Sequence, residues 1–362
     1  MTKNKLDLIF KSYDIRGVYG DSIDQAIAYK IGKAFAEFVL DDSIIVGHDG
    51  RVSNIEMLDA FTSGIKSINK EIIYVGLVPT DTVYSLSGLL KKPGAIITAS
   101  HNPKNYNGLK LCNAGAIPIG EDSGLLDIKK LADRNVEIRI EKFQNNVKYL
   151  GNEYYEHLKN LVSPESISQK LNFGIDGGNG VFGAVFDTLN NIYKFNVKSI
   201  YLEVDGNFPN HHPDPTVPKN MEQLIKSVKD NSCDIGLAFD GDGDRLGVVD
   251  NLGNLVWADQ YMLLLCTEIA NLYDNPKIIM DVKCSKVFFD EAKKLNCDPI
   301  MSKTGHSPIK EKMKELNSPL SGEMSGHVCY ADDFYGYDDE MYVALRLLRI
   351  LCNQEKNGLL LM

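Results

Sequence analysis

Three times along the chain a short apolar run ends in an aspartate and a turn. The runs are Ile44-Ile45-Val46-Gly47-His48-Asp49-Gly50, Phe173-Gly174-Ile175-Asp176-Gly177-Gly178 and Ile278-Ile279-Met280-Asp281-Val282-Lys283. Runs of this kind, bounded by turn residues, read as buried strands, and 72–75 and 95–97 add two more. Between them the apolar period changes. Ile27, Ile31, Ala34, Phe35 and Phe38 recur at helical spacing, so 25–39 reads as an amphipathic helix; Met221, Leu224, Ile225 and Val228 repeat the pattern. Alternating strand and helix periods point to α/β layers with partly parallel sheets. The threefold echo predicts three related α/β domains in tandem, which suits a chain of 362 residues. Boundaries are expected in the polar stretch 145–151 and at the turn 251–253, giving domains at 1–146, 147–252 and 253–362.

Charge narrows the range of partners. Lys and Arg total 39 against 49 Asp and Glu, a net charge of −10, which argues against nonspecific nucleic-acid binding. An anionic ligand would have to be met by a local basic cluster working against the global field. Residues 1–8 carry no secretory pattern, and no apolar run approaches the roughly 20 residues that span a bilayer. Seven cysteines lie singly, without a C-x-x-C pair, as in a reducing compartment. A cytoplasmic protein without membrane or nucleic-acid partners is expected; the pattern sets no oligomeric state.

Four short motifs carry chemistry. Asp240-Gly241-Asp242-Gly243-Asp244-Arg245 follows the strand-like run 235–239. Carboxylates at alternate positions converge on one hard cation where glycines let the backbone curl. A calcium EF-hand loop would need Gly at its sixth position and Glu at its twelfth; Arg245 and Asn251 stand there instead. Mg²⁺ completed by a phosphate oxygen or water fits better. Thr98-Ala99-Ser100-His101-Asn102-Pro103, also just after a strand, exposes a serine suited to a nucleophile or phosphate carrier, with Lys110 downstream to neutralise phosphate charge. Tyr13-Asp14-Ile15-Arg16-Gly17 offers an arginine for bidentate phosphate contact. Gly322-Glu323-Met324-Ser325-Gly326-His327 sets an acid, a hydroxyl and an imidazole where they can hydrogen-bond sugar hydroxyls.

Together, in this order, the motifs resemble those of the α-D-phosphohexomutase superfamily, most closely its phosphomannomutase/phosphoglucomutase branch, over essentially the whole chain. The resemblance implies a fold of similar α/β domains around a central cleft. It also implies reversible transfer of phosphate between O1 and O6 of a hexose phosphate, through a phosphoserine and a bisphosphorylated intermediate. Ser100 would be the phosphoserine, and Asp240, Asp242 and Asp244 the Mg²⁺ ligands, with Ser100 joining them at the metal. Glu323, Ser325 and His327 would read sugar hydroxyls. Tyr13, Arg16, His101, Lys110 and Arg245 match roles near the phosphoserine and metal loop, and Lys283 and His306 match substrate-binding positions. Either His101 or Lys110 could act as general acid/base. A hexose 1,6-bisphosphate is the implied activator.

Within the family the runner-up is a phosphoglucosamine mutase, whose sugar motif carries a polar residue where Met324 stands. Outside it, a non-catalytic sugar-phosphate-binding module is the rival. The family pattern also includes a fourth, C-terminal domain with an Arg-x-Ser-x-Thr phosphate loop. The sequence ends at Met362 without one, so a truncated, impaired mutase is expected. Arg51-Val52-Ser53-Asn54 resembles that loop but follows Asp49-Gly50 in the first domain and lacks the threonine, so it is assigned no role.

Overall fold

The computed structural model describes residues 4–144 and 151–356, so the boundary expected at 146/147 falls outside the described residues. The described residues form three mixed sheets on one plan. The first holds β1 (Ile15–Val18), β2 (Ser43–His48), β3 (Glu71–Leu77), β4 (Gly94–Ile97) and β5 (Tyr106–Asn113), ordered β1-β5-β4-β2-β3, with β6 (Ile117–Pro118) added to β5. Strand β2 runs parallel to β3 and β4, and β5 returns antiparallel to β4. The second sheet has β7 (Asn172–Asp176), β8 (Asn196–Ile200), β9 (Ile235–Phe239), β10 (Leu246–Asp250) and β11 (Leu255–Val256), ordered β11-β10-β9-β7-β8. The third has β12 (Lys277–Asp281), β13 (Asp298–Ser302), β14 (Leu320–Gly322) and β15 (Val328–Tyr330), ordered β13-β12-β14-β15.

Each sheet thus has a central strand (β2, β7, β12) flanked by two parallel partners. The second of those partners (β4, β9, β14) then turns back into an antiparallel neighbour. The aspartates of the sequence echo stand at the ends of the three central strands. The Ser100, Asp240–Asp244 and Glu323–His327 motifs occupy the three hairpin turns, β4–β5, β9–β10 and β14–β15. The turn at 251–253, expected as a domain boundary, is the tip of the β10–β11 hairpin. Val248 pairs with Val256 there, so the second sheet continues past it.

Helices cover the sheets because their apolar stripes have nowhere else to go. With the first sheet lie α1 (Lys5–Ile9), α2 (Gln25–Phe38), α3 (Asn54–Lys66), α4 (Thr80–Leu90) and α5 (Leu125–Ala132). Asp24 caps α2 by accepting from the Ile27 amide at 2.9 Å, and Ile27, Ile31, Ala34 and Phe35 are buried on its inner face. Ile31, Phe35, Ile44, Val46, Phe61, Ile97 and Leu109 are wholly inaccessible in that core. Each such side chain contributes about 1.5–3 kcal/mol of burial.

The second sheet is accompanied by α6 (Gly151–Leu161), α7 (Phe182–Tyr193) and α8 (Glu222–Asp230), and the third by α9 (Ala258–Leu272), α10 (Lys286–Lys294), α11 (His306–Leu316) and α12 (Glu340–Lys356). Leu224 and Val228 of α8 press so closely on β9 that a Cβ at Gly236 would lie 2.7 Å from Val228. The chain forms two compact units, Met1–Tyr154 with Asp205–Pro209, and Tyr155–Val204 with Asn210–Met362. Among the described residues no helix is long and apolar enough to cross a membrane.

Candidate active site

In the first unit Ser100 sits on the β4–β5 turn with φ +50°, a left-handed conformation that costs a residue with a Cβ on the order of 1–3 kcal/mol. The loop is held in it from several directions. The Ser100 amide donates to Thr98 Oγ1 at 2.8 Å, and its carbonyl accepts from Arg51 Nη2 at 2.6 Å. Ser100 Oγ lies 3.0 Å from His101 Nδ1. Arg16, on β1, donates to Asn102 Oδ1 at 3.0 Å and pairs with Asp14 at 2.6 Å, which ties the Tyr13–Gly17 motif to the serine loop. Lys110 is buried on β5, opposite Ile96. Tyr13 is half-buried before β1.

Arg51, assigned no role from its sequence, proves to be the clamp of this loop. Its guanidinium donates to the carbonyls of Ser100, Asn102, Pro103 and Tyr106 at 2.6–3.0 Å, while Nε lies 3.3 Å from Asp49 Oδ2. Phe208 lies alongside, its ring centre 5.5 Å from Cζ. The motif resemblance pointed elsewhere because these acceptors are backbone groups about fifty residues away, which leave no mark on the sequence.

In the second unit the β9–β10 and β14–β15 turns meet. Asp240, Asp242 and Asp244 are buried, with carboxylate oxygens within 4.8 Å of one another. The Asp244 amide donates to Asp240 Oδ1 at 3.0 Å, and Gly243, at φ +81°, gives the curl that brings alternate side chains together. Three buried carboxylates at this spacing repel unless a cation lies among them, and an all-oxygen donor set suits a hard divalent ion. Ser100, expected with them at the metal, belongs to the first unit.

Gly326 (φ +90°) brings the second turn against the first. Its carbonyl accepts from the Leu246 amide at 3.1 Å, and a Cβ there would lie 2.7 Å from the Leu246 oxygen. Ser325 Oγ donates to Glu323 Oε2 at 3.0 Å. Arg245 Nε donates to His327 Nε2 at 3.0 Å, so the other imidazole nitrogen carries the proton, and it faces Asp338 Oδ2 at 3.0 Å and Asp244 Oδ1 at 3.9 Å. His327 is therefore turned toward protein groups at both nitrogens.

Behind it Lys310, from α11, pairs with Asp338 at 2.5 Å. Burial alone would lower the Lys310 ammonium, but Asp338 outweighs it and keeps the group charged. Burial pushes the Glu340 carboxyl well up, Asp338, Asp244 and Asp339 adding to the effect against a hydrogen bond from the Val328 amide. Neither Lys310, set in a polar helical run, nor Asp338, in an acidic run before α12, was legible as part of a site. Lys283 is exposed after β12; His306 opens α11, its side chain lying outside the described residues.

Family models describe the same arrangement. Phosphoglucomutase/phosphomannomutase alpha/beta/alpha domains I, II and III match residues 7–138, 152–253 and 257–360. The chain belongs to the phosphoglucomutase/phosphomannomutase family. It is an intramolecular phosphotransferase, a phosphohexomutase. A phosphomannomutase/phosphoglucomutase of Pseudomonas putida is 40% identical over 358 residues, 97% of this chain and 76% of that protein. A phosphoglucomutase of Neisseria gonorrhoeae is 37% identical over 95% of this chain and 75% of its own length. The crystal structure of a family protein from Burkholderia thailandensis superposes with a TM-score of 0.87 at 34% identity, covering 98% of this chain and 80% of that one.

Proposed function

We propose that the chain exchanges phosphate between O1 and O6 of glucose and mannose phosphates through a phosphoserine at Ser100. The observation that carries this reading is the Ser100 turn, a hydroxyl beside an imidazole on a strained loop fixed by a buried arginine. As the P–Oγ bond of the phosphoserine breaks, a P–O bond forms to the free sugar hydroxyl, and the hydroxyl proton passes to His101 or Lys110. The resulting bisphosphorylated sugar returns its other phosphate to Ser100 Oγ and recovers a proton. A hexose 1,6-bisphosphate recharges the serine when it loses its phosphate.

Mg²⁺, held by Asp240, Asp242 and Asp244, would supply positive charge against the oxygens of the moving phosphoryl group. Arg245 and Arg16 add fixed cations in a protein whose net charge is −10. Glu323 and Ser325 grip adjacent sugar hydroxyls, Lys283 and His306 help bind the substrate and Tyr13 stands near the phosphoserine, while His327 steadies Arg245 from the neighbouring turn. The apolar Met324 between the two sugar-reading residues favours glucose and mannose over glucosamine phosphates.

Intact mass after incubation with glucose 1,6-bisphosphate tests the assignment. One phosphate is expected on the native chain and none on Ser100→Ala, whose turnover should fall more than about 10³-fold. A Ser100→Ala enzyme with native turnover overturns the proposal.

A further inference from the structure

The aspartates that end the central strands have no part in the chemistry above, yet two of them reach into the hairpin turn of the adjacent strand. Asp281, at the end of β12 and fully buried, is the fuller case. Its Oδ1 accepts from the Met324 amide at 3.2 Å and from the Cys284 thiol at 3.1 Å, and its Oδ2 accepts from the Thr304 hydroxyl at 2.9 Å. These donors belong to three separate loops. Met324 lies between Glu323 and Ser325, Cys284 follows Lys283, and Thr304 stands two residues before His306. One carboxylate therefore ties together every loop of the third repeat that carries a candidate substrate group.

The same device recurs in the first repeat. Asp49, just past β2, accepts from the Thr98 hydroxyl at 2.7 Å, and Thr98 Oγ1 in turn accepts from the Ser100 amide at 2.8 Å. In the second repeat Asp176 takes His211 and the Gly178 amide instead, and a backbone bond from Val181 to the Gly241 carbonyl, 3.1 Å, makes the tie to the hairpin turn.

We infer that Asp281 is a positioning residue for substrate recognition. It touches no substrate and sets the mutual spacing of the Lys283, Thr304–His306 and Glu323–Ser325 loops, as Asp49 does for the Ser100 loop. The inference rests on the reading of Glu323 and Ser325 as the sugar-gripping pair. A buried carboxylate that accepts from three donors is satisfied only while all three loops stay in place, so it removes conformational freedom before the ligand arrives. Loops ordered in advance leave less entropy to be lost on binding.

The test reads the affinity of the intact chain for glucose 1-phosphate by calorimetry, beside thermal melting. Asp281→Asn turns one acceptor into a donor facing a donor and should weaken binding about tenfold. Thr304→Val removes a single tie, guards against an Asp281 variant that fails to fold, and should weaken binding about threefold, whereas Thr304→Ser restores the hydroxyl and the affinity. A merely structural residue would act independently of the sugar loop. A positioning residue should not, so adding Asp281→Asn to Glu323→Ala should cost less than about twofold more. Full additivity in the double variant, or native affinity in both Asp281→Asn and Thr304→Val, overturns the inference. If Glu323→Ala alone binds glucose 1-phosphate as the native chain does, the sugar-gripping reading itself fails, and the role of Asp281 falls with it.

Discussion

Arg51 shows how much of a candidate catalytic loop's shape can rest on one side chain. A planar guanidinium presents a fork of donors, and here four carbonyls of the Ser100–Tyr106 segment converge on it while Asp49 flanks Nε. Lysine offers its protons from a single atom and cannot span those acceptors. In Arg51→Lys at least one or two buried carbonyls lose their donor, each at about 1–3 kcal/mol. Urea unfolding should report a loss of roughly 2–4 kcal/mol, and labelling with glucose 1,6-bisphosphate a slower phosphorylation of Ser100. A lysine variant within about 0.5 kcal/mol of the native chain would show that the clamp is not needed. The left-handed Ser100 depends on such support, since an isolated serine would relax out of that conformation.

Among the elements, the segment after β8 is pinned to the end of β7 by His211, whose two ring nitrogens face Asp176 Oδ2 at 3.0 Å and the His212 carbonyl at 2.9 Å. Both neighbours are acceptors, so only the protonated ring satisfies both. Burial alone would lower its pKa, but the bonds to Asp176 and the His212 carbonyl together raise it above the usual 6.5. A raised folded-state value means stabilisation that is complete below about pH 6.5 and fades as the pH climbs through that value. The stability gap between the native chain and His211→Ala should therefore be wider near about pH 6 than near about pH 9 in paired urea titrations. A gap that stays constant or widens with pH contradicts the pairing. The central strands and some helices were legible, because 25–39 and 221–228 carry the helical period and those strands end in Asp plus a turn. What joins them was not. That Asp281 would meet Met324, or Lys310 meet Asp338, depends on strand order and helix docking, and periodicity carries neither. Ser100, the three aspartates and Glu323 stood out because hairpin turns concentrate Gly, Ser, Asn and Asp, whereas Arg51 was assigned no role and Lys310 was not singled out.

At the scale of the whole molecule, an acidic chain keeps three carboxylates buried within 4.8 Å of one another. A cation bound only by the native state adds about 2.7 kcal/mol of stability at a hundred times its Kd. The melting temperature should rise with Mg²⁺ and fall with chelator. Asp242→Asn should need at least about tenfold more Mg²⁺ for the same rise, while without Mg²⁺ it should melt no lower than the native chain because one of three repelling charges is gone. Melting that ignores Mg²⁺ in both proteins would remove the cation from this loop. The family's scaffold was legible as a threefold echo, but that each candidate motif occupies the corresponding hairpin turn of its own sheet emerged only from the strand order. That division has a consequence for descent and for engineering. On the proposed function, phosphate carriage, cation holding and sugar choice lie on three tips, each grown from its own sheet. Substitutions at residues 323–325 would then explore new hexoses while Gly326 and His327, which hold the 240–245 turn, stay in place. On that reading substrate range and catalytic competence become separately heritable, and a library confined to residues 323–325 should diversify the sugar without disarming the enzyme.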